Sequence, residues 1–169
     1  MARPKTGDFS DYAKGYVNAA QGKSVSELID YHSAAFLAFL NTIPESKANY
    51  AYAQGKWTVK QLLQHMIDTE RIFTFRMVTF ARKDTVSLSG FAENDYANAA
   101  PATHRNLADL KLEFSLLRQS TDLLLLSLTA EDLQQHGLAS NHKVTVNALA
   151  FILFGHNEHH KQILTERYL

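Results

Sequence analysis

The sequence predicts an all-α protein, a four-helix bundle, and three observations carry that expectation. Proline occurs only at Pro4, Pro44 and Pro101, which leaves long stretches without a helix breaker. Apolar residues recur at three- and four-residue spacing in four windows of roughly twenty residues each, and no window shows convincing strand alternation or an internal repeat. Hydroxyl residues followed three positions later by Glu or Gln stand ahead of two of those windows, as in a helix capping box. Four such helices are the arithmetic of a four-helix bundle, and 169 residues suit one domain spanning 1–169 with a substantial core.

Residues 8–20 read as a short leading helix, loosened at Gly15 and ending before Gly22. Ser24 and Glu27 then make a capping-box pattern, and Val25, Ile29, His32, Phe36, Phe39, Leu40 and Ile43 mark one helical face up to Pro44. After a loop at 44–57, Thr58 and Gln61 repeat the box. The second long helix follows on Val59, Leu62, Leu63, Met66, Ile67, Phe73, Met77 and Phe80. Residues 83–102 look like a loop longer than a tight turn needs, either a crossover or a flap that Phe91 and Tyr96 would close over a pocket. A third helix spans about 106–128 on Leu110, Phe114, Leu117, Thr121, Leu124 and Leu128. A short turn covers 129–136, and Thr145 caps the fourth helix, which runs nearly to the end.

Lys plus Arg equals Asp plus Glu at 17 each, a balance that argues against nucleic-acid or anionic-membrane partners and offers little repulsion between copies. No cysteine occurs, which excludes disulfides, thiolate metal sites and a cysteine nucleophile. The opening residues lack the apolar core of a signal peptide, and the longest apolar run, Leu123 to Leu126, is too short to cross a bilayer. A cytoplasmic protein is the expectation.

The most informative stretch is Gly155-His156-Asn157-Glu158-His159-His160-Lys161. Leu149, Leu153, His156, His160 and Ile163 fall on one helical stripe, so two imidazoles interrupt an otherwise apolar face. Histidines four apart differ by roughly 40° around the axis, so both rings point one way, as a chelating pair requires. Without cysteine, any metal must be held by nitrogen and oxygen. His65 is the leading third ligand, because Leu62, His65, Thr69 and Ile72 share a face of the second helix. Asp68 or Glu70 could accept from its second ring nitrogen or act as a base, whereas pairing with Arg71 is the plainer role for Asp68. His32, on the apolar face of the first long helix, reads as a hydrogen-bonded core histidine or as a fourth ligand. His159 points about 100° away from its neighbours, toward the helix surface or the second shell of ligands. His104, His136 and His142 read as solvated. No Glu-x-x-His, His-Glu-x-x-His, phosphate loop or Gly-x-Ser-x-Gly pattern appears.

Two blocks together resemble the DinB-like (DinB/YfiT) superfamily of metal-binding four-helix bundles. One is Gly55-Lys56-Trp57-Thr58-Val59 leading into Leu62-Leu63-Gln64-His65-Met66-Ile67-Asp68-Thr69-Glu70-Arg71, then Phe75-Arg76 and Ala81-Arg82. The other is Gly155-His156-Asn157-Glu158-His159-His160, closing on Ile163-Leu164 and Tyr168. With the loop around Gly90-Phe91, the likeness covers nearly the whole chain. It implies a bundle with one long crossover loop and a divalent metal, zinc or nickel, on His65, His156 and His160. It also implies a homodimer and chemistry in which the metal activates a thiol or water. Transfer of a low-molecular-weight thiol to a small-molecule substrate is the first expectation; a metal-dependent hydrolase or a non-catalytic metal-binding module is the alternative. Asp68 is the candidate catalytic residue beside the three ligands.

Overall fold

The computed structural model describes residues 2–169. Asp11–Ala13 makes a 3-10 turn running into α1 (Lys14–Ala19), with Gly15 inside the helix rather than breaking it. Ser24 Oγ accepts from Glu27 N at 3.2 Å, but the Glu27 carboxylate takes the N–H of Lys23 instead of Ser24, so only half of the expected box forms. Helix α2 occupies 25–42 in three end-to-end stretches: Val25–Leu28, a π-helical turn Ile29–Ser33, and Ala34–Thr42. Helix α3 (Val59–Ala81) opens on the complete box, Thr58 Oγ1 accepting from Gln61 N and Gln61 Oε1 from Thr58 N.

The 83–102 segment is not a plain loop. It contains α4 (Glu93–Ala99), whose seven residues bury only Ala97 and therefore carry no readable periodicity. Buried Lys60 pins the returning chain to α3 by donating to the carbonyls of Thr103 and Arg105 at 3.1 and 3.2 Å. Helix α5 (Leu107–Ser127) buries Leu107, Leu110, Phe114, Arg118, Thr121 and Leu125. Its inward face thus includes Arg118, while Leu117 and Leu124 are only partly covered. The expected turn at 129–136 holds α6 (Ala130–Gln134), capped by Thr129 and Asp132.

A β-hairpin follows, against the expectation of no strands. β1 (His136–Ala139) pairs antiparallel with β2 (His142–Thr145), and Leu88 bridges Ala139. Ser140 and Asn141 form the turn at φ 52° and 65°, the left-handed conformation that tight hairpins need. Four-residue strands are too short to alternate legibly, and the turn lacks the usual Asn-Gly signal. Thr145 ends β2 and caps α7 (Val146–Arg167), its Oγ1 accepting from Ala148 N at 3.1 Å.

Helix α3 packs against both α5 and α7, and α2 packs against α7 and α5 from the other side. Helices α2 and α3, neighbours in sequence, therefore lie diagonally across the bundle. One apolar cluster gathers α1, the start of α2, the end of α3, the hairpin and the first half of α7. The other joins the end of α2, the start of α3, α5 and the end of α7. Among the described residues no helix is long and apolar enough to cross a membrane.

The first half of α7 is buried all round, from Val146 to Asn157, because α1 covers its outer side. Gly155 permits that approach: a Cβ there would lie 1.8 Å from the Tyr16 carbonyl oxygen, a backbone atom that cannot rotate away. Gly155→Ala is expected to cost at least about 3 kcal/mol, the upper end of overpacking penalties, in urea unfolding. A loss below about 1 kcal/mol would mean that α1 does not sit against α7 this way.

Candidate metal centre

His65 reaches the interior from the second turn of α3, between Leu62 and Met66, while His156 and His160 come from successive turns of α7. Nε2 of His156 lies 3.1 Å from Nε2 of His65 and 3.0 Å from Nε2 of His160. A donor atom from each ring falls within 4.8 Å of the other two, and all three side chains are buried. Two ligands on one Zn²⁺ with bonds of about 2.0–2.1 Å stand roughly 3.3 Å apart in tetrahedral geometry. The three nitrogens therefore fit a divalent ion.

Burial makes these rings poor bases. The His65 imidazole is pushed down to about 4 and that of His156 to about 3, chiefly by desolvation, with His65 and His159 adding repulsion at His156. His160 is lowered as well, by burial first and then by its two partners. All three are neutral near pH 7, the form that ligates metal. The Nδ1 atoms of His156 and His160 are sealed from solvent without a hydrogen-bond partner. Trp57 packs on His65 with ring centroids 4.8 Å apart, and Tyr168 Oη donates to the Trp57 carbonyl at 2.7 Å. Tyr16 of α1 lies edge-on to His156 at 5.6 Å, and burial raises its phenol to about 12.

The sequence model for the DinB superfamily matches residues 28–164, a span that includes the three histidines and all four long helices apart from a few terminal residues. The chain belongs to the DinB superfamily. Among solved structures it is similar to YfiT from Bacillus subtilis, described as "a probable metal-dependent hydrolase with an unusual four-helix bundle topology". The two share 16% sequence identity at a TM-score of 0.72, over 96% of this chain and 89% of that one, a likeness that establishes the fold. No curated protein matches the chain by sequence.

Other candidates fall into place around the histidine cluster. His32 is a satisfied core histidine: its Nδ1 meets Glu158 Oε1 at 3.0 Å and its Nε2 accepts from Gln21 N at 2.9 Å, so it adds no fourth ligand. His159 is exposed beside Tyr16, and His104, His136 and His142 are exposed too. Asp68 accepts from Gln64 Nε2 at 2.9 Å and stands 4.0 Å from Arg71. Its carboxyl is raised by burial, which Gln64 and Arg71 oppose. It lines a depression with Asp95 and Tyr96, away from the cavity that His156 borders, so its contacts are those of the Arg71-pairing alternative.

That cavity, about 280 Å³, lies between α1, α3, the hairpin and α7. Phe91 reaches it from the 83–102 segment, while Tyr96 packs on Phe91 at 5.2 Å and faces the Asp68 depression. Sequence reading missed Tyr16, Phe73, Arg76 and the hairpin residues Ser140 and Val144 as lining. The one available signal was Gly155, which announces a close neighbour without naming it. A larger groove of about 670 Å³ on the outer side of α1 and α7 contains His159 but none of the three clustered histidines.

The depressed histidines set a pH dependence. Unfolded imidazoles titrate near 6.5, so between pH 6.5 and about 4 the unfolded chain binds more protons than the folded one. The stability of metal-free protein is expected to be full above pH 6.5 and to fall as pH drops toward 4, measured by urea unfolding. His65→Gln should flatten that slope by one proton's share. Identical slopes for the two proteins would mean that His65 is solvated.

Proposed function

We propose that this chain is a metal-dependent enzyme in which His65, His156 and His160 hold one divalent cation, zinc or nickel. The single observation that carries this reading is that His156, one of the three clustered histidines, lines the 280 Å³ cavity, so the cluster borders a pocket. A purely structural metal site would close its ligand shell, and His32, the best candidate to close it, is engaged with Glu158 and Gln21. When bound, such an ion lowers the pKa of a thiol or water and supplies a nucleophile near neutral pH. Of the chain's own groups, Trp57 and Tyr16 fix the rings of His65 and His156, and Tyr16 keeps its proton at the pocket wall. The reaction proposed is transfer of a low-molecular-weight thiol to an electrophilic small molecule. Hydrolysis is the second reading, favoured by the description of the YfiT structure.

Elemental analysis of untagged protein is expected to find about one equivalent of metal, and His65→Ala or His156→Ala should remove it. Metal far below one equivalent, unchanged by His156→Ala, would refute the site. A panel of small thiols paired with electrophiles, run beside a hydrolase panel, should find a turnover that the same two substitutions abolish. Turnover that persists in both variants would refute the enzyme reading.

A homodimer belongs to the same proposal. Leu112, Leu116, Leu123 and Leu126 form one exposed stripe along α5, an apolar face that a second copy would cover. Light scattering is expected to give twice the chain mass, and Leu116→Arg with Leu123→Arg should halve it; a wild-type monomer at micromolar concentration would remove the dimer.

A further inference from the structure

The cavity beside the histidines holds one buried cation. Arg76 is only 6% exposed, yet among the described residues no carboxylate lies within ion-pair distance of it. Its hydrogen bonds leave from Nη2, to the Ser89 carbonyl at 2.9 Å and Ser140 Oγ at 3.2 Å, and Phe73 lies 5.5 Å from Cζ. All of these partners are neutral. The other buried arginine, Arg118, is paired with Glu70, and the half-exposed Arg71 and the more covered Arg105 share Glu113. Tethering Ser89 and Ser140 requires a donor but not a charge, and a glutamine would serve. A guanidinium taken out of water without a counter-ion is costly, and burial already disfavours its charged form with no acidic group opposing.

The position of Arg76 adds direction. His65, Thr69 and Arg76 fall on one face of α3, since offsets of four and eleven residues rotate by only about 40° and 20°. The α3 wall of the cavity runs from Thr69, one turn beyond His65, to Arg76, roughly 10 Å of helix rise, and His156 completes the lining from α7. Leu149, Ile152 and His156 form the facing stripe on α7. Thr69 Oγ1, buried and without a partner, stands at the end of that wall away from Arg76.

Resting on the reading of this cavity as the substrate pocket, we propose that Arg76 is its carboxylate anchor. The substrate class is then a small, elongated organic anion. Its carboxylate pairs with Arg76, its apolar middle lies along Phe73, Leu149 and Ile152, and its reacting end meets the histidines. A volume of about 280 Å³, at the low end for ligand pockets, sets the size limit. The free nitrogens of a guanidinium offer a fork that suits a carboxylate.

Three matched probes test this: 4-phenylbutyrate, its neutral amide, and 4-phenylbutylamine. Each is titrated into the full-length protein, metal-loaded and metal-free, and followed by NMR shifts. The acid is expected to bind at least about tenfold more tightly than the amide, as a charge-assisted pair implies, and the amine not at all. Shifts should map to Phe73, Leu149 and Ile152. Arg76→Gln should abolish the preference while leaving metal content unchanged. Ser140→Ala, which removes a tether but keeps the charge, should preserve it. Equal binding of acid and amide by the wild type overturns the proposal, and so does a preference that survives Arg76→Gln or shifts confined to the groove of Tyr12 and Glu166. If Arg76→Gln does not fold, the wild-type acid-to-amide ratio and the shift map decide. A preparation that never binds metal would sink the metal reading yet leave this ratio intact, so the two failures are distinguishable.

Discussion

Glu70 on α3 and Arg118 on α5 are 0% and 1% exposed and meet at 2.6 Å. Burial drives the Glu70 carboxyl upward, and the guanidinium beside it is the largest opposing influence. Leaving either charge alone in the core would cost about 3–5 kcal/mol, so the pair fixes how α3 and α5 face each other. It also recruits the other two helices. Asp122, 4.0 Å from Arg118, accepts from Ser33 of α2, and Asn157 of α7 supports the Glu70 carboxylate. A polar belt thus crosses all four helices where the two apolar clusters meet, and the next residue along α7, His156, is its neighbour. The histidine cluster sits in an interior that is already polar and already registered.

The histidines were legible because helix geometry is local. A spacing of four places His156 and His160 on one side of any α-helix, and His65 needed only the assignment of an inward face. Arg118 escaped because leucine spacing favoured Leu117 and Leu124, while the partner that makes an inward arginine tolerable stands 48 residues away. Asp68 was one turn from His65 in both readings, and sequence could not say that Gln64 would take its hydrogen bond. The hairpin and α4 were invisible for a different reason: elements of four and seven residues contain too few positions for a period to register.

What distinguishes the centre from a bare helix bundle is supplied by the parts outside the bundle. Tyr16 of α1, Phe91 and the hairpin wall in the cavity beside His156, and Leu88 bridges the 83–102 segment to the hairpin at Ala139. Their fit depends on close contacts, such as Gly137, where a Cβ would meet the Phe80 ring at 2.1 Å. The four long helices place the nitrogens; the short elements decide how much solvent reaches them.

The π-helical turn at Ile29–Ser33 shows how chain length itself is constrained. Leu28, His32, Phe36 and Leu40 are all buried at intervals of four, a spacing that in a regular α-helix drifts by about 40° at each step. The wider turn absorbs one surplus residue, so that His32 meets Glu158 and Phe36 still reaches Phe114, ring centroids 5.4 Å apart. Deleting one residue of the wide turn other than His32 would therefore restore regular helical winding and leave Phe36 and Leu40 facing the core, whereas the same deletion in the regular stretch Ala34–Thr42 would swing everything beyond it by roughly 100°. This wide turn is therefore the part of α2 whose length can shorten by one peptide unit without turning the helix beyond it: the bundle reads the phase of Phe36 and Leu40, not the residue count that delivers it.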